Sequence, residues 1–223
     1  MPFLFNLRRT LPKELDELKP TPGYCILVDL VESTALKDSG LGVWPMRIFN
    51  MFSLVRNYLK DCIPLKSLGD SLMFYVPESE LNQRNQTALD LFQPLTYVAQ
   101  EEAKDIFGRS KIAVTYCQDA YEITFLKGTN DIYGKDIDLT ARLMGLAGEG
   151  EILMNESFVD RVREVYNASP LQREFPDVQK IVGPWPQSFK GFGGYVNAYK
   201  LPAAGTSLQR QMAPLGHAGN AVF

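Results

Sequence analysis

Three short stretches carry the residues able to do chemistry. In Tyr24-Cys25-Ile26-Leu27-Val28-Asp29-Leu30 a carboxylate stands near the end of an otherwise apolar run. A buried carboxylate is costly unless it is paired or holds a cation, and a metal ion is the economical reason for this one. In Pro64 to Val76, Lys66, Gly69 and Asp70 converge at a two-residue turn signal between two strand-like runs. Ordinary turn chemistry on a surface hairpin would read the same way. In the third stretch Asn130 to Asp136 opens a helix over Ile137 to Leu146, where Asp138 and Arg142 stand four apart and share a face. An exposed helical ion pair is the plainer reading of those two.

Taken together these are oxygen ligands for a hard divalent cation, with cationic groups suited to phosphate. The formal net charge of −3 argues against broad binding to nucleic acid, so a polyanionic ligand must be held by a local site, and a nucleotide with its metal fits. His217, the only histidine, lies in a closing stretch rich in Ala, Gly, Ser, Gln and Pro, which removes the usual general base and any histidine-rich metal site. Cys25, Cys62 and Cys117 lack metal-ligand spacing, and a reducing cytosol is the simplest compartment for them. No apolar run approaches the eighteen or so residues of a membrane span, so the expectation is a soluble, cytoplasmic protein with no membrane and no nucleic-acid partner.

The elements that must position these residues follow from periodicity. Residues 1–22 are expected as an N-terminal extension with a short amphipathic helix after Thr10, 23–202 as one domain, and 203–223 as a mobile tail. Tyr24 to Leu30 is too continuously apolar for anything but a buried central strand. Met46, Phe49, Phe52, Val55 and Leu59 mark an amphipathic helix over Trp44 to Asp61. A second helical stretch runs from about Leu81 to Phe107 with an interruption at Pro94. Lys111 to Tyr116 and Tyr121 to Leu126 read as a strand pair, Glu151 to Met154 as a strand, Glu156 to Tyr166 as a helix and Tyr195 to Leu201 as the last strand. This order points to an α+β sandwich on a ferredoxin-like βαββαβ core with additional strands.

With these blocks in register, the chain resembles the catalytic domain of the class III adenylate and guanylate cyclases over roughly Gly23 to Leu201. ILVDLVEST matches a strand ending in Asp followed by a small polar turn, and KSLGD matches a K-x-x-G-D hairpin. Asp131 to Arg142 matches D-h-x-G-x-x-h-N-x-x-x-R, and Gly150-Glu151-Ile152 and Lys190-Gly191 match the G-E-I and K-G blocks. The resemblance implies that Asp29 and Asp70, with the Leu30 carbonyl, hold two Mg2+ or Mn2+ ions, and that Arg142 stabilises charge on the α-phosphoryl group. It implies that Lys66 and Asp131 read the base, while Ser33 and Thr34, able to cap the next segment or let its amides approach phosphate oxygens, contact the substrate. It further implies a head-to-tail homodimer with composite sites, whose monomer is inactive.

Three departures stand out. Asp138 replaces the helix asparagine, still able to bond a ribose hydroxyl but adding negative charge near a triphosphate. Phe192 stands where the family often has a lysine, two residues after the K of its last block, and Val114-Thr115-Tyr116-Cys117-Gln118 replaces a strand that often carries glycines and a histidine. The lysine–aspartate pair puts ATP ahead of UTP or CTP, yet cytosine presents the same donor and acceptor functions as adenine. Tyr116, Tyr121, Phe74 and Tyr75 could supply the bulk that a pyrimidine site needs. A free-standing cyclase of this kind also resembles the pyrimidine cyclases of bacterial anti-phage defence, and a catalytically weak nucleotide sensor is the reading from another class.

Overall fold

The computed structural model describes residues 18–32, 37–38, 42–100, 109–123 and 131–205. The expected N-terminal helix up to residue 17, the Ser33-Thr34 turn and the tail from residue 206 lie outside them.

Seven strands form one mixed sheet in the order β2-β3-β1-β4-β7-β9-β8. They are β1 (Gly23–Leu30), β2 (Pro64–Leu68), β3 (Ser71–Pro77), β4 (Ser110–Cys117), β7 (Ile152–Asn155), β8 (Val182–Ser188) and β9 (Tyr195–Leu201). Only β4 and β7 pair in parallel. The first four strands, ordered β2-β3-β1-β4, with helices α1 (Trp44–Tyr58) and α3 (Ala88–Gln100) in the crossovers, are the expected ferredoxin-like core. The fold is thus α+β.

β1 is buried on both faces, which is why its sequence lacks alternation. Tyr24, Ile26, Val28 and Leu30 face α1, α3 and α5 (Glu156–Ala168), among Met51, Val55, Phe92, Leu95 and Phe158. Cys25 and Leu27 face the opposite layer, where α4 (Lys135–Met144) contributes Leu139, Leu143 and Met144 and β6 (Asp131–Tyr133) contributes Ile132. Full burial of each such aliphatic side chain is worth about 1.5–3 kcal/mol.

Several expectations need correction. The helical stretch after Val76 breaks at residues 84–87, not at Pro94, giving α2 (Glu78–Gln83) and α3. Thr87 starts α3 by giving both its N–H and its hydroxyl to Asp90 at 2.7 Å, and Pro94 is carried inside the helix. β5 (Tyr121–Ile123) does not pair with β4; it pairs with β6 in a separate two-stranded sheet, so Asp131 lies on a strand, and the helix starts at Lys135, two residues before the expected Ile137. Met46 and Phe49 are 58% and 65% exposed, and the true inner face of α1 carries Met51, Leu54 and Val55. β8, an edge strand with Pro184 and Pro186, had not been expected at all.

Candidate active site

Period-two alternation decides which side chains share the α4 face of the sheet. Leu72, Phe74 and Val76 of β3 face the helices α1, α3 and α5, so Ser71, Met73 and Tyr75 face α4. The register aligns Asp29 with Ser71 on one side and with Lys111 on the other. Ser71 Oγ donates to Asp29 Oδ1, and Lys111 Nζ lies 3.3 Å from Asp29 Oδ2. Asp29 is therefore paired, as a carboxylate at the end of a central strand must be.

Asp70 precedes Ser71 in the turn of the β2–β3 hairpin, where Leu68 pairs with Ser71 around Gly69-Asp70. Gly69 has φ +66°, the left-handed conformation that a two-residue hairpin turn requires and that glycine adopts without penalty. Lys37 Nζ approaches Asp70 Oδ1 at 3.5 Å. The hairpin thus carries the second carboxylate next in sequence to the serine that bonds the first. Lys111 and Lys37 had not been singled out from sequence; Lys111 becomes visible only once the β1–β4 register is known.

Lys66 and Asp131, 65 residues apart, meet in a bidentate ion pair at 2.7 and 2.8 Å that ties β2 to β6. Burial pushes the Asp131 carboxyl up, but the Lys66 ammonium and the Ile132 N–H outweigh it and hold the group below its ordinary value. Cys25, near Lys66, has its thiol pushed up to about 12 by burial and is no nucleophile at neutral pH.

On α4, Leu139, Thr140, Leu143 and Met144 turn inward, Asp138 is exposed and Arg142 half-buried. Among the described residues no ion pair or hydrogen bond joins Asp138 to Arg142, so the plain helical ion pair is not formed. Gly134, ahead of this helix, is packed so closely that a Cβ would lie 2.3 Å from the Asp119 carbonyl oxygen. Asp136 is half-buried. Burial raises its pKa, against the Gln118 N–H that it accepts. A carboxyl with a raised folded-state pKa favours the native state below the ordinary carboxylate range and loses that contribution as pH rises through the folded pKa. Asp136→Asn should therefore raise Tm at pH 7 by a few degrees, a gain that shrinks in melts at successively lower pH as Asp136 takes up its proton.

The aromatic residues divide. Phe74 and Tyr116 are buried on the other face of the sheet, in the helix-side core, and cannot fill a base pocket beside Lys66. Tyr116 donates to Glu78 at 2.9 Å under the Arg161 guanidinium. Tyr75 is on the α4 face with its hydroxyl given to the Thr21 carbonyl, and Tyr121 lies in the small sheet opposite Tyr133.

Asp29 and Asp70 are hard oxygen donors, each facing one ammonium group at 3.3–3.5 Å, and they suit Mg2+ or Mn2+. No group of three His, Cys, Asp or Glu side chains gathers among the described residues. Asp29, Asp70 and the Leu30 carbonyl are the oxygen donors here that could serve a hard divalent cation, and further ligands would have to come from outside the described side chains.

No family model and no curated protein matches the chain by sequence. Solved structures do match in fold. An adenylate cyclase from Trypanosoma brucei in its monomeric state superposes with TM-score 0.61 at 16% identity, over 87% of this chain and 92% of that one. The adenylyl cyclase CyaB from P. aeruginosa gives 0.60 at 17%, over 84% and 96%, and the guanylyl cyclase Cya2 gives 0.57 at 12%, over 83% and 94%. The chain has the fold of the class III adenylyl and guanylyl cyclase catalytic domains.

Proposed function

We propose that on this fold the chain is a nucleotidyl cyclase that converts a nucleoside triphosphate to its 3′,5′-cyclic nucleotide and pyrophosphate. The observation that carries the reading is the coincidence of a cyclase fold with the pairing of Asp29 to Ser71, which sets the Asp70 turn beside the first carboxylate. Asp29, Asp70 and the Leu30 carbonyl would hold two Mg2+ or Mn2+ ions, which when bound lower the pKa of the ribose hydroxyl and neutralise charge on the phosphates. Arg142 aims a cation at the charge that develops on the α-phosphoryl group as the 3′-oxygen attacks in line. Asp138 accepts a hydrogen bond from the ribose. Lys111 and Lys37, displaced from their carboxylates when cations bind, remain beside the phosphates as further positive charge. Ser33 and Thr34 would offer their segment to the phosphates.

The carboxylates and the base- and phosphate-directed residues lie on different elements of one chain. Asp29 is at the end of β1, the pairing of Lys66 and of Leu27 with Met73 sets Lys66 level with a residue two back along that strand, about 7 Å, and Asp138 lies on the exposed side of α4. A head-to-tail homodimer would bring Lys66, Asp131, Asp138 and Arg142 of one copy to the carboxylates of the other. Among the structures sharing the fold, the guanylyl cyclase domain of a fusion protein from Blastocladiella emersonii is a non-canonical dimer.

The base is read by Lys66 and Asp131, a donor and an acceptor that suit adenine and equally cytosine, so the size of the pocket around them separates ATP from CTP. With Phe74 and Tyr116 turned to the other face, only Tyr75 and Tyr121 remain as bulk for a pyrimidine pocket. Incubating the purified protein with equimolar ATP, GTP, CTP and UTP and Mn2+, and identifying the cyclic products by mass, tests the reading. Cyclic AMP should predominate. A cyclic UMP or CMP majority would favour a pyrimidine cyclase of the kind used in anti-phage defence, and nucleotide binding without any cyclic product would favour a sensor.

A further inference from the structure

We propose that Lys135 supplies the triphosphate-binding cation that Phe192 leaves out, an inference that rests on the nucleotidyl cyclase reading. The cations around the site divide into two sets. Lys37, Lys66 and Lys111 are each paired with a carboxylate of their own chain, whereas Lys135 and Arg142 have no carboxylate within ion-pair distance among the described residues. These two are on one helix. Lys135, Asp138 and Arg142 are spaced i, i+3 and i+7, which sets them within about 60° of one another around α4.

The contact that singles out Lys135 is its place over Phe192. Its ammonium group lies 5.3 Å from the centre of the Phe192 ring, and Phe192 packs edge-on against buried Phe189 at 6.0 Å between ring centres. By the resemblance, Phe192 stands where cyclases often carry a phosphate-binding lysine; the β8–β9 connection keeps Lys190 two residues earlier, and the ammonium over the Phe192 ring itself comes from the neighbouring helix. The ring face attracts the cation and steadies its direction. Lys135 is exposed at the first turn of α4, where the helix dipole opposes positive charge, and its local compensations are the Phe192 ring and the neighbouring Asp136 carboxylate. Arg142 lies about 10 Å further along the axis, so two long side chains on one face can bracket a triphosphate, Arg142 at the α-phosphoryl group and Lys135 at the β- and γ-phosphates. In a head-to-tail dimer they would serve the carboxylates of the second copy.

The test is calorimetric titration of the full chain with inorganic tripolyphosphate, and separately with AMP, in the presence of Mn2+. Lys135→Gln should weaken tripolyphosphate binding about ten-fold and leave AMP binding unchanged. Adding Phe192→Lys to that variant should restore most of the loss. Unchanged tripolyphosphate binding by Lys135→Gln, or an equal loss in Lys190→Gln instead, would overturn the assignment alone. A loss that Phe192→Lys does not recover marks Lys135 as a structural residue and overturns it too. A wild-type chain that binds neither probe would overturn the cyclase reading together with this one.

Discussion

Asp29→Asn and Asp70→Asn will each lower cyclase turnover by about a thousand-fold or more, and the two losses will look alike. The argument is one of charge at fixed shape. Asparagine keeps the size of aspartate and can still accept the Ser71 hydroxyl at position 29, so the β1–β3 register and the hairpin turn survive. What disappears is the anionic oxygen that a hard cation needs. Divalent-ion catalysis of phosphoryl transfer contributes several factors of ten through charge neutralisation and activation of the attacking hydroxyl, and both ions depend on the same two carboxylates. Circular dichroism and sedimentation should show fold and assembly unchanged, since Asp29 and Asp70 face their lysines from partly exposed positions where an ion pair adds little stability. Substantial turnover by either variant at saturating Mn2+ would remove the two-carboxylate assignment.

How much of this was legible in the sequence depends on the range of the interactions involved. β1 was plain because burial on both faces writes an unbroken apolar run, and the expense of Asp29 within it marked the site before any geometry was known. The Gly69-Asp70 turn and α4 are local, and local chemistry specifies them. The meeting of Lys66 with Asp131 spans 65 residues; only the family resemblance joined them in advance, and the structure gives the 2.7 Å contact. Lys111 stayed hidden because its place opposite Asp29 is a fact of strand register, which nothing near residue 111 encodes. The misplacement of Phe74 was avoidable. Alternation alone sets Phe74 and Tyr75 on opposite faces, and Tyr75 on the α4 side forces Phe74 into the helix-side core.

β5 was assigned to the wrong partner because sequence neighbours usually pair. Here the chain leaves the main sheet after Cys117, and the approach of Gly134 to the Asp119 carbonyl fixes the small sheet beside it. The two prolines of β8 read as breakers, although an edge strand tolerates a residue without an N–H on its open side.

The central claim, a cyclase whose sites are shared between two copies, is tested most directly by mixing two dead proteins. Asp29→Asn lacks the carboxylate half of every site and Arg142→Ala the phosphoryl-stabilising half. If one site takes Asp29 from one copy and Arg142 from the other, a heterodimer has one site with both lesions and one with neither. Random exchange makes half of the dimers heterodimers, each with one intact site of two, so the mixture should recover roughly a quarter of wild-type activity. Subunit exchange is verified independently, with differently tagged copies captured together. Recovery near a quarter is the predicted result. No recovery after verified exchange would contradict the account, because it would mean that Asp29 and Arg142 do not complete one site from two different chains.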